Sequence, residues 1–198
     1  MALYKGEDKI KDIYLGDVPI FKVYAGEEFC GFFTFSHENL ISNSDLLIDS
    51  DSNGVPDGFS YNTATDKTLV NGIAKFTATA KNGYLVKSNT NTKIIGNKYY
   101  HYAKVKASNS NVRLYVLNPS TSAYHSGSGT FEFLSFITEA TVISDTLYVW
   151  DNNASGWTPI EVDYMGAINI TDLVSRGILP SGLTDSQYKD ILDNYFNS

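Results

Sequence analysis

The chain has 198 residues, 15 Lys and Arg against 22 Asp and Glu, and a formal charge of −7. That balance argues against nucleic acid as a partner, because a phosphate-binding face needs clustered Lys and Arg and none is visible. No stretch reaches the ~20 apolar residues that span a bilayer, and 14 Tyr with 11 Phe among abundant Ser, Thr, Asn and Gly suit antiparallel sheet with polar turns.

The chain opens with one phrase three times: Leu3–Glu7, Ile13–Asp17 and Val23–Glu27 each read aliphatic, Tyr, variable, Gly, acid. Short strands are expected here, punctuated at Gly16-Asp17 and Gly26-Glu27, where Gly supplies the positive φ of tight turns and the acid stays solvated. Some thirty residues make too little core to stand alone. Residues 1–35 are therefore expected to be a β-repeat attachment segment that docks on its own domain, on sister subunits or on a larger assembly. Cys30 is the only cysteine, so an intrachain disulfide is excluded, and it reads as a small apolar residue.

The next signal is "DSDSNGVPDG", Asp49 to Gly58. Side-chain oxygens alternate along a loop that Gly54 can bend, as Ca²⁺ demands of its ligands. The candidate metal residues are Asp49, Asp51, Asn53, Val55 and Asp57. No Glu closes the loop at its twelfth position, and a polar turn capped by its own Asp and Asn side chains is the competing reading.

Strand candidates then follow at short spacing: Gly72–Thr79, Tyr84–Lys87, Tyr99–Lys106, Asn111–Leu117, Gly129–Phe136, Thr146–Asp151 and Ile160–Ile170. Several alternate apolar and polar, with Val112, Leu114 and Val116 on one face and Tyr100, Tyr102 and Val105 grouped as another. Many short strands of period two without intervening helices predict an all-β jelly-roll sandwich. "YYHYAK" lies within a strand, so its rings and His101 are expected to pack rather than react. At the end, Tyr188, Ile191, Leu192, Tyr195 and Phe196 fall on one helical face, Thr184 and Gln187 form a capping box, and Leu183 can staple onto Tyr188. The polar face of that helix is Asp-rich, which favours packing on protein over membrane.

For sugars, the signature is an exposed ring beside amides, the ring stacking on the pyranose C–H face. "YVWDNNASGWTP" carries it: Trp150 and Trp157, the only tryptophans, bracket Asp151, Asn152 and Asn153. Tyr124 and His125 are expected at a second exposed tip. No nucleophile elbow, Walker sequence, zinc-protease helix or nucleotide fingerprint occurs, so a non-enzyme is expected, with a small glycosidase as the remaining catalytic alternative.

The order of these pieces resembles a known group. "NLISNSDLLIDSDSNGVPDGFS", "VNGIAKFTATAKNGYLVKS" and "GNKYYHYAKVKAS" closely resemble the start of carbohydrate-binding-module-like jelly rolls of phage tail and virion proteins. "MGAINITDLVSRGILPSGLTDSQYKDIL" is similar to their closing phrase, and "IYLGDVPIFKVYAGEEF" to amino-terminal segments of phage structural proteins. Phe59 stands where such modules usually carry Trp. The resemblance implies a jelly roll over residues 36–198 and a virion setting: a head fibre, decoration or tail-associated protein that docks on capsid or tail proteins. Host-surface glycan adhesion, or a receptor-binding module of a tail or baseplate, fits the same reading. Because a weak glycan contact becomes useful when several copies engage together, a homo-oligomer such as a trimer is expected. The lack of a long apolar stretch predicts no membrane insertion.

Overall fold

The structure, a computed structural model, describes residues 13–15, 18–25, 28–34, 45–87, 93–153 and 155–197. The first copy of the opening phrase, the two Gly-acid pairs and residues 35–44 lie outside the described residues. Strands β1 (Ile13–Leu15), β2 (Val18–Ala25) and β3 (Glu28–Thr34) form an antiparallel sheet in chain order, pairing Leu15 with Val18 and Ala25 with Glu28. The described parts of the second and third copies thus lie in β1 and β2, and β3 follows them.

Ten further strands build two five-stranded antiparallel sheets: β4 (Ser60–Asn62), β5 (Ala64–Val70), β6 (Ile73–Ala78), β7 (Gly83–Lys87), β8 (Lys98–Lys106), β9 (Val112–Val116), β10 (Thr121–Tyr124), β11 (Phe131–Glu139), β12 (Leu147–Asp151) and β13 (Pro159–Asn169). The front sheet runs β10-β9-β12-β7-β4 and the back sheet β11-β8-β13-β6-β5. Nested pairing defines the topology: β6 with β13, β7 with β12, β8 with β11, β9 with β10. One long double ribbon is rolled so that successive pairs alternate between sheets, which is a jelly roll. β4 and β5 extend one edge of each sheet.

Period two sets which residues meet between the sheets. Phe76, Leu85, Val105, Leu114, Val149 and Ile160 are fully buried there, each worth roughly 1.5–3 kcal/mol of burial. Burial sets the phase of β6 and β8 and corrects one grouping read from the sequence. Ile73 and Thr77 face outward while Ala74 and Phe76 face the core, and Val105 lies with Tyr99 and His101 on the inner face of β8, not with Tyr100 and Tyr102. In β13 the register shifts between Val162 and Tyr164. That bulge moves the inward phase from Ile160 and Val162 to Met165 and Ala167. The β5–β6 connection is Asn71-Gly72, both with positive φ (52° and 76°) between the paired Val70 and Ile73. This is the two-residue turn whose twist matches a hairpin.

Two helices close the chain, α1 (Ile170–Ser175) and α2 (Asp185–Phe196). Asn169 caps α1 through the Asp172 N–H at 3.1 Å. Thr184 and Gln187 form the expected reciprocal capping box on α2. Both helices pack on the outer face of the back sheet, where Tyr100, Tyr102, Ile168, Leu173, Tyr188 and Leu192 make a second apolar cluster.

Candidate functional site: an aromatic row on the front sheet

With Leu85, Leu114, Leu147 and Val149 pointing into the core, the alternate residues of the front sheet point away from it. Register lines them up in two rows across the five strands. One is Ser60, Val86, Tyr148, Tyr115 and Ser122; the other is Asn62, Tyr84, Trp150, Arg113 and Tyr124. Both helices lie on the opposite sheet. At about 4.8 Å between strands, a five-strand row spans roughly 19 Å, room for several pyranose rings.

The rings support one another. Trp150 meets Tyr115 edge-on with centroids 4.9 Å apart and Tyr84 at 6.5 Å, while Tyr148 meets Tyr84 at 5.1 Å. Arg113 is wedged among them, its guanidinium carbon 4.4 Å from the Trp150 ring centre, 4.8 Å from Tyr115 and 5.5 Å from Tyr124. Its Nη1 donates to the Tyr124 hydroxyl at 2.8 Å. Contacts of this kind contribute about 0.5–2 kcal/mol each, more as water is excluded. Two donors, Trp150 Nε1 and Arg113 Nε, are buried without an acceptor among the described residues. None of the outward residues in either row is acidic. Tyr124, the last residue of β10, is 57% exposed, and the other rings are half-buried or deeper.

Of the sequence-predicted sugar residues, the structure brings Trp150 and Tyr124 together in one row, bridged by Arg113. Asp151 turns the other way and is fully buried. Its carboxylate accepts from the Asn153 N–H at 2.9 Å and the Asn109 amide at 3.5 Å. Burial pushes its pKa up against the opposing pull of those bonds. Asn152, Asn153 and Trp157 belong to the loop after β12, where the Trp157 indole N–H donates to the Asn153 carbonyl at 3.1 Å. His125 is not at an exposed tip: it is buried, with Nε2 at 3.1 Å from both the Val105 and Thr130 carbonyls. Arg113, Tyr115, Tyr84, Tyr148 and Asn62 were missed. The signal for Arg113 and Tyr115 was present, since assigning Val112, Leu114 and Val116 to the core puts them outside.

The acidic loop uses its oxygens on itself. Asp49 accepts from the Asn53 and Gly54 N–H groups at 3.2 and 2.9 Å, Asn53 from the Val55 N–H at 2.7 Å, and Asp57 from the Ser50 N–H at 3.0 Å. Asp51 accepts from the Asn53 amide at 2.8 Å. Such bonds are those of a capped polar turn. Among the described residues no group of three or more His, Cys, Asp or Glu is placed to hold a metal. A groove of about 600 Å³ runs beside this loop, between Leu47, Asp49 and Asn53 and the β5 side chains Lys67 and Leu69; it shares no residue with the aromatic rows.

Fold and site together describe a jelly-roll sandwich with one aromatic face under helices and one aromatic face that neither helix covers. No protein-family model and no curated protein sequence matches the chain. Among solved structures, a family 4 carbohydrate-binding module is 13% identical with a TM-score of 0.46, over 65% of this chain and 99% of that one. A family 29 module from Piromyces equi is 17% identical with a TM-score of 0.41, over 61% and 89%. Tailspike protein 4 of Bacteriophage CBA120 is 10% identical with a TM-score of 0.44, over 67% of this chain and 21% of that one.

Proposed function

We propose that the chain is a non-enzymatic glycan-binding protein whose ligand lies along the row from Asn62 to Tyr124, displayed on a virion through its amino-terminal β-repeat. The observation that supports glycan binding is the register itself. It sets Tyr84, Trp150 and Tyr124 side by side with amide, guanidinium and hydroxyl donors on a face that neither helix covers. Rings offer stacking to the apolar side of a pyranose, and the interleaved polar groups meet its hydroxyls. The carboxylates of β13 are paired with lysines, Asp163 with Lys104 at 3.3 Å and Glu161 with Lys106 at 3.2 Å, which fits structure better than acid–base chemistry.

A shallow face of this kind holds one glycan weakly, and repeated copies raise the effective affinity by about 10²–10⁴. Display as a trimer or in many copies on a particle, with capsid or tail proteins as partners, gives the weak contact its use. The virion setting itself is supported by the resemblance of the opening and closing phrases to phage structural proteins.

Affinity electrophoresis of the whole chain through host-cell polysaccharide tests the row. Trp150→Ala is expected to lower retention at least tenfold, and Trp157→Ala, in the neighbouring loop, by less. Unchanged retention of Trp150→Ala would remove the row from the proposal. Antibody labelling of purified particles tests the setting, and a chain missing from particles, or strictly monomeric by light scattering, would remove the display argument.

A further inference from the structure

Stacking a neutral sugar requires rings and neutral hydrogen-bonding groups; it does not require a cation at the centre of the row. Arg113 sits there nonetheless, in a chain of net charge −7, flanked by Trp150 and Tyr124 and facing no acid in either row. We infer that the front face selects saccharides that carry a carboxylate, which the Arg113 guanidinium receives. This rests on the glycan reading above.

The guanidinium is held ready. It lies against Trp150 and Tyr115 at 4.4 and 4.8 Å, and its Nη1 is tied to the Tyr124 hydroxyl at 2.8 Å. Nη2 makes no hydrogen bond and Arg113 no ion pair with any described residue. Tyr124 accepts from Arg113, so its own O–H proton remains to be donated, and its ring is 57% exposed. Nη2–H and the Tyr124 O–H are therefore two donors joined through one internal bond, the second oriented by the first. A carboxylate has two oxygens to accept from such a pair, and charge-assisted bonds of this sort are about twice as strong as neutral ones. Trp150 and Arg113 are directly opposite on adjacent strands. A sugar ring stacked on Trp150 therefore brings an exocyclic carboxylate about one strand spacing away, beside Arg113. An ammonium could not do the same: it has neither the plane that stacks on the rings nor the fork.

An array of immobilised saccharides in three classes, neutral, carboxylated and sulfated, with each carboxylated member also present as its methyl ester, tests this with the full chain. Wild type is expected to bind the carboxylated class, with esters weaker by tenfold or more. Arg113→Gln is expected to bring the acid-over-ester ratio close to one, and Tyr124→Phe to lower it several-fold. Removing one hydroxyl from an exposed ring leaves the fold intact, so Tyr124→Phe decides if Arg113→Gln fails to fold. Binding confined to neutral or to sulfated saccharides, or an acid-over-ester ratio unmoved by these substitutions, overturns the inference and leaves the glycan reading standing. No binding in any class overturns both.

Discussion

The outward faces of the two sheets carry similar side chains in different surroundings. On the back sheet Tyr100, Tyr102, Phe133 and Tyr164 form an aromatic layer, and α2 lies over it. Phe196 stacks on Tyr102 with centroids 4.2 Å apart, Tyr100 donates to Asp193 at 2.7 Å, and Tyr164 donates to the Phe196 carbonyl at 2.6 Å. Ser135 also donates to Asp193, at 2.6 Å. The helix thus brings acceptors to the phenols it covers. On the front sheet Tyr84, Tyr115, Tyr148, Trp150 and Tyr124 form a comparable layer, but Arg113 stands where the back sheet has α2, and two buried donors lack acceptors among the described residues. An aromatic stripe on a strand is therefore not a binding signal by itself. What covers it separates core from candidate site.

The largest effect that could break this contrast is expected at Leu192, fully buried on α2 against the back-sheet layer. Leu192→Ala leaves a cavity and should lower stability by about 2–5 kcal/mol. Tyr124→Ala, at an exposed ring on the front sheet, loses its contacts with Arg113 but leaves no core cavity, and should lower stability by only about 0.5–1 kcal/mol while weakening glycan retention. Denaturant unfolding of the two variants beside the retention assay gives a double dissociation. Equal losses of stability would mean that the front face is a structural layer as well.

Acid tests the back sheet through two groups with separate pH windows. His101, on the inner face of the back sheet, is buried with Nε2 3.0 Å from the Thr138 hydroxyl and Nδ1 without a partner among the described residues, its ring tilted against Phe136 at 5.2 Å. Burial, and then the nearby charge of Lys93, hold its pKa well below the ordinary 6.5. Lys93 itself is paired with Asp145 at 2.8 Å. Because the folded state refuses a proton that the unfolded chain accepts, stability is full above pH 6.5 and falls as pH drops below it, by up to about 1.4 kcal/mol per pH unit. Glu132 acts in a lower window. Burial raises its pKa, but hydrogen bonds from Ser126 and Ser128 outweigh that and hold it at about 2, so its contribution is lost as pH falls from 4.5 towards 2. Melting curves from pH 7.5 to 5 should slope for wild type and flatten for His101→Gln. Stability independent of pH over that range would show that His101 is hydrated.

Much of this was legible in the sequence, and the limits are instructive. Seven strands and the capping box follow from period two, period 3.6 and local side-chain-to-backbone bonds, all of which are local rules. β4, β5, β10 and α1 were not read. β4 has three residues and β10 four, too few to show a period, and β5 ("ATDKTLV") is largely polar because its edge position leaves it exposed. The Asn71-Gly72 turn was the readable sign of β5, since Asn-Gly between apolar flanks marks a hairpin. The bulge in β13 hid the phase change between Val162 and Met165. For the site, the sequence singles out Trp150 at the end of a strand and Tyr124 at a tip, from opposite ends of a 26-residue interval. Only the nested pairing of β9 with both β10 and β12 places Arg113 between them. Register across non-consecutive strands is a long-range property, and single-strand alternation does not contain it.

The smallest expected effect sharpens the same contrast from the cover's side. Thr184 accepts from the Gln187 N–H at 3.3 Å and Gln187 returns a bond to the Thr184 N–H at 2.9 Å, satisfying two of the free donors at the start of α2. Thr184→Ala removes one acceptor, and the Gln187 N–H must turn to water, at a cost of about 1 kcal/mol. Because α2 presses on the back-sheet rings and not on the front sheet, the loss should appear as a lower melting temperature and as faster exchange of α2 amides. Saccharide retention at room temperature should be unchanged. If retention fell in step with the helix, the covered layer and the open row would be coupled through the core, and the front face could no longer be treated as independent of what lies behind it.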